Sequence, residues 1–220
     1  MRMYHKIYLT MLKQACSKYN IHLIVDEIAV GFGRTGTMFA FEQSKIVPDI
    51  ICLSKGITGG YMTLSSILTT EEIYKSFYDE YIKLNAFLHS HSYTANPIAC
   101  TAACASLDLF KKLNTLKNNQ KLSNYIQRRM SHLINHPNIA EIRQKGMITA
   151  VEMVKDKKRR IPYNWKERRG MKAYLYGLQN NVLIRPLGNV IYFMPPYVIT
   201  SKEIDKVVDV ITGAVNEATK

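Results

Sequence analysis

Apolar residues recur at helical spacing through Tyr4, Tyr8, Met11, Leu12, Ala15 and Tyr19, and Asn20 follows as a C-terminal stop. The chain therefore opens on a helix. Two apolar runs come next, Leu23-Ile24-Val25 and Ile50-Ile51-Cys52-Leu53, each too short for a helix and bounded by polar or turn residues. They predict buried strands, closed by Asp26 and by Ser54-Lys55. A Gly-rich turn, Gly31 to Gly36, lies between them, and a further strand is expected at Thr63 to Leu68. Thr69-Thr70-Glu71-Glu72 resembles a capping box that opens a helix toward Tyr78, and Asn96-Pro97 supplies an N-cap and a first-turn proline for an Ala/Cys-rich helix toward Phe110.

From about Leu113 the texture changes. A long polar helix carries Leu116, Leu122, Ile126, Met130 and Leu133 and stops near Pro137. Short strands at Glu141 to Arg143, Ile148 to Met153, Val182 to Ile184 and Val190 to Phe193 alternate with a helix around Glu167 to Leu178, and an amphipathic helix runs from Ser201. The pattern implies an α/β unit over residues 1–113 and a smaller α+β unit over residues 114–220. No internal repeat or low-complexity segment interrupts it.

At 220 residues and 47% hydrophobic content the chain can bury a substantial core. No apolar run is long enough to span a bilayer and the N-terminus carries no targeting pattern, so the cytoplasm is the expected location and no membrane partner is expected. Cys16, Cys52, Cys100 and Cys104 lie in helical or strand patterns, which argues against a disulfide framework. The net charge of +13 invites a nucleic-acid reading. Only Lys155-Asp156-Lys157-Lys158-Arg159-Arg160 is dense, without interleaved aromatics, and a solvated loop accounts for it better. Cys100 and Cys104, with His89 and His91, have the residue types of a zinc site, but the Ala-rich setting favours packing and no metal is expected.

Asp26 and Lys55 carry the strongest chemical signal, because ionisable groups at the ends of core strands must usually be paired or put to work. Pyridoxal phosphate chemistry uses both: a lysine holds the cofactor as an imine, and a carboxylate pairs with the protonated pyridine nitrogen. Val25-Asp26-Glu27-Ile28, Gly31-Phe32-Gly33-Arg34-Thr35-Gly36, Pro48-Asp49-Ile50 and Ser54-Lys55 together resemble the class III, fold type I aminotransferases. Thr58-Gly59-Gly60-Tyr61-Met62-Thr63-Leu64, Ile184-Arg185-Pro186-Leu187-Gly188-Asn189 and Ile191-Tyr192-Phe193-Met194-Pro195-Pro196-Tyr197 are similar to the branch of that family that serves biotin synthesis. The motifs fall in the family's order along nearly the whole chain.

The resemblance implies a role for each matching residue. Lys55 would attach the cofactor and then shuttle a proton, its amine made basic at neutral pH by a partly dry site. Asp26 would stabilise the pyridinium, and Ile28 would lie against one ring face. Glu27 could equally be a surface acid or cap. His91 and Ser92 would contact the phosphate of the cofactor in the neighbouring subunit, helped by the helix N-terminus that follows, with Ser90 beside the substrate. Arg185, read as the end of a β-branched stretch, would clamp the substrate carboxylate, with an interdomain salt bridge as the bland alternative. Ser90, Ser92 and Ala95 stand where many family members have Gly, Thr and Gly.

In this reading the large-domain sheet is represented by its C-terminal half, followed by the small C-terminal domain. A preceding portion would supply a second phosphate loop and an aromatic residue stacked on the ring. The expected activity moves an amino group from S-adenosylmethionine, or from lysine in some relatives, through pyridoxal phosphate to 8-amino-7-oxononanoate, giving 7,8-diaminononanoate. A homodimer with shared active sites is implied. An ornithine- or 4-aminobutyrate-type ω-aminotransferase, and an inactive remnant, are the alternatives.

Overall fold

The computed structural model describes residues 1–220. They form two compact units, Tyr4–Leu116 and Lys117–Lys220, the second taking in Met1–Met3. In the first unit α1 (Ile7–Lys18) leads to β1 (Ile24–Asp26), β2 (Ile50–Leu53) and β3 (Ser66–Thr69), which form a sheet in that order. β1 and β2 are parallel, with Val25 opposite Ile51 and Asp26 opposite Cys52, whereas β3 returns antiparallel to β2. Cys16, Leu23 and Val25 form a small core beneath α1, bordered by Leu12, Phe41, Ile46 and Ile51. Asp49 ties these pieces together. Its carboxylate accepts Leu23 N–H at 2.7 Å and pairs with Lys13 Nζ at 2.8 Å, and these contacts hold it below the usual carboxylate range.

The strands are not buried on both faces, contrary to the expectation from their apolar runs. Ile24 is 59% exposed, and Ile67 and Leu68 are also open. An apolar run shows that a strand can be covered, not that this chain covers it. The helix opened by Thr70 is likewise short: α2 (Glu71–Lys75) has no buried residue, so no core face extends it to Tyr78. α3 (Pro97–Lys112) is long, starts with Pro97 in its first turn, and buries Ala99 and Ala103.

α4 (Thr115–Met130) leads into the second unit, where β4 (Ile139–Lys145), β5 (Ile148–Asp156), β8 (Val190–Phe193) and β7 (Arg185–Leu187) lie in that order in an antiparallel sheet. A short β6 (Ile161–Pro162) pairs with β5, and the basic run Lys157 to Arg160 is the turn between them. α5 (Arg169–Gln179) and α6 (Ser201–Thr219) complete the unit. Thr200 and Glu203 form a capping box that starts α6, and Ile204, Val208, Ile211 and Val215 recur on its buried face. The core is continuous from Ile126 and Met130 through Met147 and Ile191 to Ala218.

The strand expected at Val182 to Ile184 lies three residues later. Ile184 is buried but outside the ladder, and Arg185 begins β7 rather than ending a strand. Pro186 is tolerated there because β7 is the edge of the sheet, where a missing N–H goes unused.

Candidate functional site

β1 delivers Asp26 and β2 delivers Lys55 to the same end of a parallel strand pair. Asp26 faces Cys52 in register, and Lys55 follows three residues later, about 10 Å of extended chain. Both side chains are exposed. Asp26 Oδ1 accepts Ile28 N–H at 2.9 Å, a local turn that leaves Oδ2 open to a second partner. Ile28 is half-buried beside it.

Glu27 is the opposite case. It is 2% exposed, and its two oxygens accept Ala40 N–H and Phe41 N–H, each at 2.9 Å. Burial raises its pKa, with the two backbone N–H groups opposing that shift. Glu27 therefore braces the segment after β1 onto the 3-10 turn Ala40–Ser44, while its neighbour is left open. The resemblance selects Asp26 rather than Glu27 for the cofactor, and the surface or capping role left for Glu27 gives way to a buried brace.

Lys55 starts a 3-10 turn, Lys55–Thr58, after an extended Ser54, and has φ +43, a left-handed conformation that a lysine seldom adopts. Strain of this kind concentrates at functional positions. Ser54 Oγ donates to Leu64 O at 2.8 Å and Thr58 Oγ1 to Met62 O at 2.6 Å, fixing the following loop around the turn. The dry surroundings expected for the Lys55 amine are not supplied by this chain, because the residue lies on the surface of its unit.

His91, Ser90 and Ser92 lie in an exposed loop ahead of α3. His91 N–H donates to Thr94 Oγ1 at 3.1 Å and His91 Nδ1 accepts Tyr93 N–H at 3.1 Å, which shapes the loop locally. The helix N-terminus was expected to offer amides to a phosphate. Asn96 Oδ1 already accepts Ile98 N–H and Ala99 N–H, so those two amides are not free for a phosphate. Ala95, where many relatives were expected to have Gly, has φ +56, so the departure falls at a position that favours glycine.

Arg185 is exposed at the start of β7, opposite Tyr192, and its guanidinium makes no ion pair within its own unit. Arg34 N–H donates to Gly31 O at 3.4 Å inside the Gly-rich turn. Cys100 is half-buried and Cys104 exposed on α3. No three His, Cys, Asp or Glu side chains gather as a metal-binding group.

Sequence reasoning passed over Phe32. It is 3% exposed, has φ +54, and meets Phe39 edge-on at 5.6 Å between ring centroids. A large apolar residue between two glycines was the available signal. The donor set here, an open carboxylate at one strand end and a primary amine past the next, fits a protonated ring nitrogen and an aldehyde carbon on one small aromatic group.

A family model described as Aminotransferase class-III matches residues 1–215. The adenosylmethionine-8-amino-7-oxononanoate aminotransferase of Helicobacter pylori is 44% identical over 224 residues, covering 100% of this chain and 50% of its own length. That of Geobacter sulfurreducens is 43% identical, covering 96% of this chain and 47% of its own. Among solved structures, the adenosylmethionine-8-amino-7-oxononanoate aminotransferase of Methanocaldococcus jannaschii matches with a TM-score of 0.90 at 37% identity, over 96% of this chain and 49% of that one. An omega transaminase from Pseudomonas jessenii, in complex with PMP, matches with a TM-score of 0.89 at 28% identity, over 94% and 46%. The chain spans about half the length of the curated relatives it matches.

Proposed function

From a chain that belongs to the class-III aminotransferases, a family that uses pyridoxal phosphate, we propose that the whole protein transfers an amino group from S-adenosylmethionine to 8-amino-7-oxononanoate in biotin synthesis. The observation that carries this reading is the pairing of an open Asp26 carboxylate with the Lys55 amine at adjacent parallel strand ends. The reaction comes from the identity of 36–44% to relatives named for it, against 28–29% to several structures named as omega transaminases.

When bound, the cofactor supplies an electron-poor ring that accepts the electron pair released at the substrate carbon. Lys55 Nζ would hold the cofactor, and as a free amine the same nitrogen would carry the proton taken from the substrate carbon. Asp26, with Oδ2 open, would hold a protonated ring nitrogen, since a fixed carboxylate holds the positive charge with no reorganisation. Ile28 presents an apolar surface to the ring. His91 and Ser92 donate to a phosphate across a homodimer interface, and Ser90 lines the substrate path. Arg185 grips the keto substrate's carboxylate through a planar two-bond fork. The cytoplasm is the compartment we propose, and no helix is long and apolar enough to cross a membrane.

The test is amino transfer by the complete protein, followed by mass spectrometry of the product. 7,8-Diaminononanoate should form from 8-amino-7-oxononanoate with S-adenosylmethionine as donor. Turnover only with lysine would replace the donor, and turnover only with ornithine or 4-aminobutyrate would replace the reaction.

A further inference from the structure

We infer that Phe32 is a positioning residue, whose ring braces the Lys55–Gly56 backbone and so fixes where the lysine amine stands relative to Asp26. A Cβ at Gly56 would lie 2.8 Å from Phe32 Cβ and 2.9 Å from Cδ2, so the glycine backbone rests directly on the base of the aromatic side chain. That atom cannot swing aside as the tip of a flexible chain would. Ser106 Oγ of α3 also donates to Gly56 O at 3.5 Å, and α3 packs along the turn. Gly56 is thus contacted by both Phe32 and α3.

Phe32 is itself held. Its φ of +54 is unusual for a bulky residue, and Gly33 follows at φ +85. Gly31 N–H donates to Glu27 O at 2.8 Å, and a Cβ at Gly31 would come within 2.7 Å of the same oxygen, so the chain turns tightly there. The Glu27 carboxylate pins Ala40 and Phe41, while Phe39 meets the Phe32 ring edge-on and stacks on Phe41 at 5.8 Å with an interplanar angle of 4°. The turn begins at Asp26, so one braced segment links the carboxylate's strand end to the lysine's backbone. Phe32 and Lys55 are both in left-handed conformations, the first lying on Gly56 and the second preceding Gly56 in the chain. Simple core packing would account for the burial of Phe32. It would not call for a glycine-tight contact on the residue next to Lys55.

The catalytic side of this inference rests on the reading of Lys55 as the cofactor lysine, and the experiment separates the two. Phe32→Ala and the milder Phe32→Leu are made in the complete protein, and amide exchange is followed with and without pyridoxal phosphate. Ile57 N–H and Gly59 N–H close the turn onto Ser54 O and Gly56 O, and the β1–β2 ladder serves as reference. In Phe32→Ala the turn amides should exchange on the order of tenfold faster with the ladder unchanged. In the holoenzyme kcat should fall by about 10- to 100-fold with KM changed far less, and Phe32→Leu should recover much of the rate. Equal acceleration of turn and ladder, or a lowered melting temperature with kcat intact, would overturn the brace. If Phe32→Ala fails to fold, the same two measurements on Phe32→Leu decide it, at smaller amplitude. Peptide mapping of the cofactor on a lysine other than Lys55 would remove the catalytic reading by itself, while the exchange data would still judge the contact.

Discussion

The two units differ in how far each closes its own core. Lys117–Lys220 wraps a continuous interior in which Ile126, Ile139, Met153, Ile204 and Val208 are fully enclosed. Tyr4–Leu116 has a contiguous core of just Cys16, Leu23 and Val25, with Phe32, Leu53, Ala99 and Ala103 buried outside it, and leaves Ile24, Tyr61, Tyr81 and Leu88 largely open, the last at 93%. Yet the open unit carries Asp26, Lys55 and the His91 loop. Order around the candidate chemistry comes from local bracing at Glu27, Phe32 and Asp49 rather than from a deep core.

The sharpest way to break the contrast is to separate the units. A fragment spanning 117–220 should unfold in one cooperative transition, whereas 4–116 alone should bind a hydrophobic dye and melt without a defined midpoint. Two equally cooperative transitions would remove the distinction. Core truncation comes next in size. Ile126→Ala should cost about 2–5 kcal/mol by denaturant melts, and Leu23→Ala should fall at the low end of that range, since its half-open surroundings can relax into the gap.

Glu27→Gln tests the local bracing. The amide keeps one acceptor oxygen and turns an NH2 donor toward the other backbone N–H, so one of the two donors loses its partner at a cost of about 1–3 kcal/mol. The pH dependence has a definite sign. Because burial raises the Glu27 pKa in the folded state, its contribution is fully present below the usual glutamate range and declines as pH rises through the raised value. The deficit of the Gln variant should therefore shrink with increasing pH. Asp49 runs the other way: its depressed pKa gives stability above the usual aspartate range that is lost as pH falls, so Asp49→Asn should flatten the acid limb. The smallest effect is at Ala95, where Ala95→Gly should stabilise by about 1 kcal/mol, because its φ of +56 carries a steric cost that glycine avoids.

Helices were legible wherever a cap and an apolar period coincide, as at Asn96-Pro97 and Thr200. α2 shows the limit: Thr70 caps it, but no buried face continues it beyond Lys75. Arg185 shows another, since a β-branched run places a strand only to within the few residues that Pro186 and the sheet edge then decide. At the candidate site, strand ends announced Asp26 and Lys55. What could not be read was that Glu27 turns inward as a brace, and that Phe32 lies on Gly56, because both depend on contacts made across a loop.

The proposed chemistry turns on Lys55 Nζ as the point where the cofactor attaches. Borohydride reduction of the complete protein loaded with pyridoxal phosphate, followed by peptide mapping, tests it directly. The modification should fall on the peptide containing Lys55, be lost in Lys55→Ala and be retained in Asp26→Asn. Stoichiometric modification of any other lysine, or undiminished labelling in Lys55→Ala, would contradict it.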